Sequence, residues 1–178
     1  MDTLPDYLAD GLSVVFVGLN PGLESVRAGH YFASPRNRFW TAANRAGMFD
    51  PPLGAMTDRL ALEQGIGFTD VVKRPTSGSS GLRAADYKRW APVLKRNLLR
   101  CSPRIVCFHG NVAYRNYLKQ AEGVDEKPEL GLQPRSIGRS RVFLVPNSSP
   151  ANAVYSMADL VGWYRQLGAF RDELESAP

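Results

Sequence analysis

The sequence predicts an α/β protein, a three-layer α/β/α sandwich built around a central, mainly parallel sheet. Three apolar runs carry this prediction because they lack any alternation of polar and apolar residues: 12–18 (LSVVFVG), 104–110 (RIVCFHG) and 140–147 (SRVFLVPN). Runs rich in Val, Ile and Phe that end in Gly, Pro or Asn are typical of strands buried on both faces. Segments with helical spacing lie between them, as expected when helices cover both faces of a sheet.

The remaining elements follow in chain order. Helical spacing occurs at 38–49, 85–101 and 111–120, and residues 157–174 predict a closing helix. Pro92 falls inside the second of these patterns, so we expect that helix to kink or split there. Residues 73–84 and 123–138 are polar and rich in Gly and Pro, and we predict loops for both.

Length and composition predict a single domain, 1–178, since 178 residues with 44% hydrophobic residues suffice for one substantial core. A net charge of +5 suits a polyanionic partner but also fits many ordinary basic proteins. Cys101 and Cys107 have no metal-ligand spacing, so we expect buried thiols and no metal. No apolar run approaches the roughly 18 residues of a membrane helix. We expect a cytoplasmic protein.

The candidate site lies beyond the carboxyl ends of the predicted strands, where open parallel sheets bind their ligands. Four loops follow such ends: GLNPG, TDVVKRPTSGSSG, HGN and PNSSPAN. In the first, Gly18, Pro21 and Gly22 form a rigid support for Asn20. The Asn20 amide has the chemistry to orient a water or bind a heterocycle edge, although a structural Asx turn explains the motif equally well. The spacing fits neither a dinucleotide fingerprint nor a P-loop.

Taken together, GLNPG, HYFASPRNRFW (30–40), GFTDVVKRPT (67–76) and VPNSS (145–149) resemble the mismatch-specific uracil-DNA glycosylases, the Mug and thymine-DNA glycosylase family. The resemblance covers nearly the whole chain and implies a uracil-DNA glycosylase-like fold. It also implies a DNA repair enzyme that flips uracil, preferentially from G·U mismatches, out of duplex DNA and hydrolyses its N-glycosidic bond. Such an enzyme needs no cofactor, and we expect a monomer associated with the nucleoid.

By the same resemblance, Asn20 positions the water that attacks the sugar carbon. Phe32, with Tyr31 beside it, stacks on the extruded base, and the remaining base contacts are expected from Gly18, Leu19 and Asn147. Fixed backbone N–H groups can stabilise the charge of the departing uracil without an acid.

Two positions depart from the family pattern. By the resemblance, the loop that follows the last strand is expected to contact the duplex through Ser148, Ser149, Pro150, Ala151 and Asn152, and Ala151 stands where the family has a leucine wedge. A wedge fills the hole left by the flipped base, so this role passes to Asn152 or Tyr155 or is weakened. Asp70 ends the run GIGFTD and is a candidate for activating the water. Its structural alternative is a helix cap or a partner for Lys73 or Arg74.

Other functions stay open on the sequence alone. A non-catalytic or differently specific nucleic-acid-binding relative would keep the scaffold, whereas a small-molecule nucleotide-binding protein lacks a phosphate fingerprint. His30 and His109 show no partner in the sequence. Phosphate contacts are expected among the basic side chains near the loops, namely Arg36, Arg38, Lys73, Arg74, Arg83, Arg135, Arg139 and Arg141.

Overall fold

The computed structural model describes residues 2–178. Its main elements, in chain order, are β1 (Val14–Gly18), α1 (Leu23–Ala28), α2 (Phe39–Arg45), β2 (Ile66–Asp70), α3 (Ala84–Cys101), β3 (Ile105–His109), α4 (Asn111–Tyr117), β4 (Gly131–Ile137), β5 (Ser140–Val145) and α5 (Met157–Ser176). Two 3₁₀ segments, Ala55–Gln64 and Ser79–Gly81, precede β2 and α3, and a π-helical turn, Leu118–Glu122, extends α4.

The five strands form one sheet in the order β2-β1-β3-β5-β4. The pairs β1–β2, β1–β3 and β3–β5 are parallel, and β4 pairs antiparallel with β5 at the edge. All residues of β3 are buried, as its apolar run indicates, and all residues of β2 are buried as well, although β2 ends in Thr69 and Asp70. The predicted α/β class with a mainly parallel central sheet is confirmed.

Each face of the sheet carries its own apolar core. On one face, Phe16 and Phe68 of the sheet pack with Phe39 of α2 and Tyr164 of α5. On the other face, the side chains of the alternate strand residues pack with α3 and α4, whose contributions include Leu94, Leu98, Tyr114 and Tyr117. Helices on both faces leave only the two ends of the sheet open to a ligand.

Three sequence predictions about elements were wrong. Residues 131–137 form β4 rather than a loop; the strand contains Pro134 and mostly exposed side chains, which an antiparallel edge strand tolerates. α3 runs through Pro92 without a break. Pro92 has no N–H to donate to the Lys88 carbonyl, but both residues face solvent, where water can bind that carbonyl. The helix predicted at 38–49 ends at Arg45, followed by Gly47 with φ +77°.

The N-terminal segment covers the outer edge of β2. Tyr7 and Phe68 exchange two backbone hydrogen bonds, with N···O distances of 2.9 and 3.0 Å. Gly67 permits this approach, since a Cβ there would lie 2.2 Å from the Tyr7 carbonyl oxygen. Among residues 2–178, no helix is long and apolar enough to cross a membrane.

Candidate active site

The carboxyl ends of the four parallel strands lie at one edge of the sheet, and tertiary contacts join the loops that follow them. The loop after β1 bonds to the loop after β2 through the Asn20 side chain. Gly110, after β3, lies against the Asn147 side chain, which follows β5. The backbone N–H of Arg38 donates to the Ser148 carbonyl oxygen at 3.2 Å, which joins the start of α2 to the loop after β5. The four loops predicted to form the site are therefore joined in two pairs, and α2 contacts the second pair.

The Asn20 amide has a defined orientation. Its Nδ2 donates to the Arg74 carbonyl oxygen at 2.9 Å and to Thr76 Oγ1 at 2.8 Å. The Arg74 carbonyl oxygen can only accept. Thr76 Oγ1 also accepts here, because its one hydroxyl proton is donated to the Gly78 carbonyl oxygen at 2.7 Å. The NH₂ group therefore faces the β2 loop, and among residues 2–178 no donor bonds to Asn20 Oδ1. These are long-range bonds rather than the local Asx turn considered above.

Asp70 is the last residue of β2 and lies beside Gly18, its partner in the β1–β2 register. The carboxyl is only 6% exposed, and its Oδ1 lies 2.6 Å from the place that a Cβ on Gly18 would occupy. Gly18 is thus required by the carboxyl next to it. Asp70 Oδ2 is buried and has no hydrogen-bond partner among the described residues.

Neither structural alternative for Asp70 is realised. The residue ends a strand and caps no helix, Lys73 bonds to Asp6, and Arg74 forms a two-pronged pair with Asp86. Burial raises the pKa of Asp70 to about 6, with the Lys73 charge opposing this rise and the Asp6 charge adding to it. A buried carboxyl whose pKa lies close to neutrality suits proton transfer at a reacting centre.

The two neighbouring aromatic residues have different environments. Tyr31 is 3% exposed, stacks on Phe68 with ring centroids 5.2 Å apart, and donates its hydroxyl to the Pro5 carbonyl oxygen at 2.8 Å. Phe32 is half-buried, with φ +51°, and stacks on Phe39 with centroids 4.3 Å apart and planes 14° apart. Tyr31 is therefore a core residue, and of this pair Phe32 keeps surface that a base could contact.

The other predicted base contacts lie at the same edge. Leu19 packs its side chain against the α3 and α4 core, while its carbonyl and that of Gly18 accept hydrogen bonds from Val72 and Val71. Asn147 is exposed, and its Oδ1 accepts from the Ser149 N–H at 3.2 Å. The bonds to the Gly18 and Leu19 carbonyls hold the turn between β1 and α1 against the β2 loop.

His109 is a site-edge residue that sequence reasoning left without a role. It ends β3, is 4% exposed, and packs 5.6 Å from the Phe32 ring centroid. Its Nε2 lies 2.9 Å from the Tyr164 hydroxyl, and its Nδ1 is buried without a partner among the described residues. Burial lowers the pKa of His109 to about 3, so the ring is neutral at physiological pH. Its place at a strand end, directly before Gly110, was the available signal.

Several basic residues expected at phosphates are engaged within the protein or lie elsewhere. Lys73, Arg74 and Arg135 pair with Asp6, Asp86 and Glu126. Arg139 and Arg141 lie at the amino end of β5, opposite the site, because β5 runs parallel to β3 and carries the site loop at its carboxyl end. Arg36 and Arg83 stay exposed near the loops. No group of three or more His, Cys, Asp or Glu side chains within residues 2–178 could hold a metal ion.

The sheet is open and mainly parallel, and its carboxyl edge carries an oriented amide, a buried carboxyl and a stacked aromatic ring. These features define an α/β protein with a polar ligand site. The sequence profile of the uracil DNA glycosylase superfamily matches residues 5–168. The chain belongs to this superfamily, whose members are DNA glycosylases and therefore hydrolases that bind DNA. The resemblance inferred from the sequence motifs is confirmed at this level.

A solved structure shares the fold along the whole chain. It is the solution structure of a protein from Methanosarcina acetivorans, proposed to be a uracil DNA glycosylase, with a TM-score of 0.62 and 23% sequence identity. The alignment covers 97% of each chain. At this identity the likeness supports the uracil-DNA glycosylase-like fold and leaves the substrate to be argued from the site.

Proposed function

We propose that this protein is a monofunctional, mismatch-specific glycosylase of the Mug and thymine-DNA glycosylase type. It flips uracil, preferentially from G·U pairs, out of duplex DNA and hydrolyses the N-glycosidic bond, leaving an abasic site. The observation that carries the proposal is the orientation of Asn20. Both its N–H groups are donated to the β2 loop, so Oδ1 is the atom left to accept a hydrogen bond from the attacking water.

Asp70 and Phe32 complete the proposed chemistry. The ionised Asp70 accepts a proton from the water and stabilises positive charge on the sugar as the bond to the base breaks. The uracil anion leaves towards the fixed N–H groups of the turn after β1. Phe32, supported from behind by Phe39, stacks on the flipped base.

The buried oxygen of Asp70 also argues against the non-catalytic alternative. A buried polar atom without a partner costs about 1–3 kcal/mol, and a protein that only binds DNA gains nothing from retaining it. Monofunctional chemistry is supported by Lys73, the lysine of the β2 loop, which is held by Asp6 rather than free to attack the sugar. We further propose that the protein acts as a monomer on nucleoid DNA in the cytoplasm.

The test is excision from an end-labelled duplex that contains one G·U pair, scored after alkaline cleavage of abasic sites. Parallel substrates carry A·U, G·T, G·C and single-stranded uracil. We expect strand cleavage for G·U only after alkali, since a monofunctional enzyme leaves the strand intact. No excision of uracil from any of these substrates would refute the proposed function.

Asn20→Ala supplies the matched variant. We expect a loss on the order of 100-fold in the single-turnover rate, because a water misplaced by about 1 Å costs this much, while duplex affinity stays near that of the parent. Asn116→Ala, an asparagine whose Nδ2 bonds only to the Val112 carbonyl oxygen of its own helix, is the control and should excise normally. Equal rates for Asn20→Ala and the parent would contradict the assigned role.

A further inference from the structure

The loop between β5 and α5, residues 146–156, is organised by one arginine. Arg38 Nη1 donates to the Tyr155 carbonyl oxygen at 2.6 Å, and its Nη2 donates to those of Asn152 at 2.9 Å and Ser149 at 3.2 Å. Three carbonyls spaced three residues apart thus point inward at one guanidinium. Arg38 was expected at a phosphate, but its side chain is committed to this β5–α5 loop.

Anchoring the loop from inside determines which side chains it presents outside. Asn152 and Tyr155, the two replacements considered for the missing leucine wedge, are both used within the protein. The Asn152 Nδ2 donates to the Asn147 carbonyl oxygen at 3.0 Å, and the Tyr155 ring packs against the core. Between them lies Val154, which at 81% exposure is the most exposed large apolar side chain of residues 2–178.

Val154 is an apolar side chain that the loop holds in water. Covering such a side chain with a partner removes apolar surface from water and is therefore favourable. The loop leaves the carboxyl end of β5, so Val154 lies on the strand-to-helix connection that also carries the proposed base contact Asn147. The apolar gap opened in a duplex by an extruded nucleotide is a partner of this kind, and proteins that unstack bases fill such gaps with aliphatic side chains.

We propose that Val154 is the side chain that enters the duplex and fills the space of the flipped nucleotide, and that Arg38 is the positioning residue that holds it out. This inference rests on the proposed function and adds a residue that the family pattern does not supply. It places the wedge three residues after Ala151, the position at which the sequence motif expects it.

The experiment measures single-turnover excision from two duplexes. One carries uracil opposite guanine, and the other carries uracil opposite a bulky pyrene nucleotide, which occupies the gap and keeps the uracil extruded without help from the protein. Val154→Ala should be about tenfold slower than the parent on the first duplex, from the apolar area lost, and close to the parent on the second. Val154→Leu should match or exceed the parent on both.

Two controls separate this role from a general effect. Met56→Ala removes a side chain of similar exposure, 77%, on the 3₁₀ segment before β2, and should leave both rates unchanged. Arg38→Met should repeat the Val154→Ala pattern, with loss on the guanine duplex and recovery on the pyrene duplex, whereas Arg96→Met removes an exposed charge from α3 and should not. The Val154 variants keep the test decisive even if Arg38→Met folds poorly.

The outcomes are distinguishable from a failure of the proposed function. If the parent excises uracil but Val154→Ala is as fast on the guanine duplex, or is equally slow on both duplexes, Val154 is not the wedge. If the parent excises uracil from neither duplex, the proposed function fails and the inference fails with it.

Discussion

Replacing Asp70 by asparagine should slow the enzyme and stabilise its fold at the same time. The variant Asp70→Asn removes the proton acceptor, so we expect the single-turnover rate on a G·U duplex to fall by about 10²- to 10⁴-fold, the range for lost general-base catalysis. The parent's rate should rise about tenfold per pH unit below pH 6 and level off above it, because burial raises the pKa of Asp70 to about 6. The variant's rate should not show this dependence.

The stability effect has a defined sign. Folding raises the pKa of Asp70 from 3.8 to about 6, so the folded protein binds the proton more tightly than the unfolded chain does. Below pH 3.8 both states are protonated and no penalty exists, whereas stability is lost as pH rises through the folded pKa. At 1.36 kcal/mol per pKa unit the penalty at pH 8 is about 3 kcal/mol. The free energy of unfolding of Asp70→Asn, compared with that of the parent, should therefore increase between pH 4 and pH 8.

Both quantities come from one protein preparation. Urea denaturation and single-turnover excision are measured from pH 4.5 to pH 9 for the parent, Asp70→Asn and the control Asp172→Asn, a 71% exposed carboxylate in the C-terminal part of α5. An excision rate for Asp70→Asn equal to that of the parent would refute the catalytic role. A free energy of unfolding that changes with pH in parallel for parent and variant would refute the assigned pKa.

Two further variants examine neighbouring contacts. Phe32→Ala should slow excision about 10- to 100-fold, since stacking on an aromatic ring is worth about 1–3 kcal/mol per base, while Phe32→Tyr keeps the ring and the rate; similar single-turnover rates for Phe32→Ala and the parent would assign the stack elsewhere. Gly18→Ala places a Cβ 2.6 Å from Asp70 Oδ1 and should displace that carboxyl. Its effect on the rate should shrink in an Asp70→Asn background, and additive losses in that double-mutant cycle would show that the two positions act independently.

The fold class could be predicted because three strands are buried on both faces and therefore read as continuous apolar runs. β4 could not, since an antiparallel edge strand shows only one buried face, and its burial is interrupted where the register with β5 shifts between Leu132 and Ser136. Arg139 and Arg141 were misplaced for a different reason, because the predicted strand 140–147 already put them at its amino end, opposite the loop that follows its carboxyl end.

The candidate site shows the same division between topology and partners. Asn20 and Asp70 could be placed together because Asn20 lies in the loop directly after β1, Asp70 ends β2, and parallel strands share one carboxyl edge. Which neighbour each side chain finds is a tertiary matter that spacing does not encode. Arg38 looked like any basic residue, and only the folded chain brings residues more than 100 positions away to its guanidinium. The family resemblance assigned the base stack to Phe32 with Tyr31 beside it, but only the folded chain shows that Tyr31 is buried in the core while Phe32 stays half-buried.

Because Arg38 holds the β5–α5 loop by its main chain, the backbone conformation of the loop does not depend on most of its side chains. The arginine binds main-chain carbonyls, which every amino acid carries, so Pro150, Ala151, Ala153 and Val154 can be exchanged without removing any of those three bonds. Mutational drift at these four positions would alter what meets the opposite strand while the backbone stays in place. The loop is thus suited to diversification, in natural lineages or in a randomised library selected for new opposite-base preferences, provided that Ser149 and Asn152 are kept for their own hydrogen bonds.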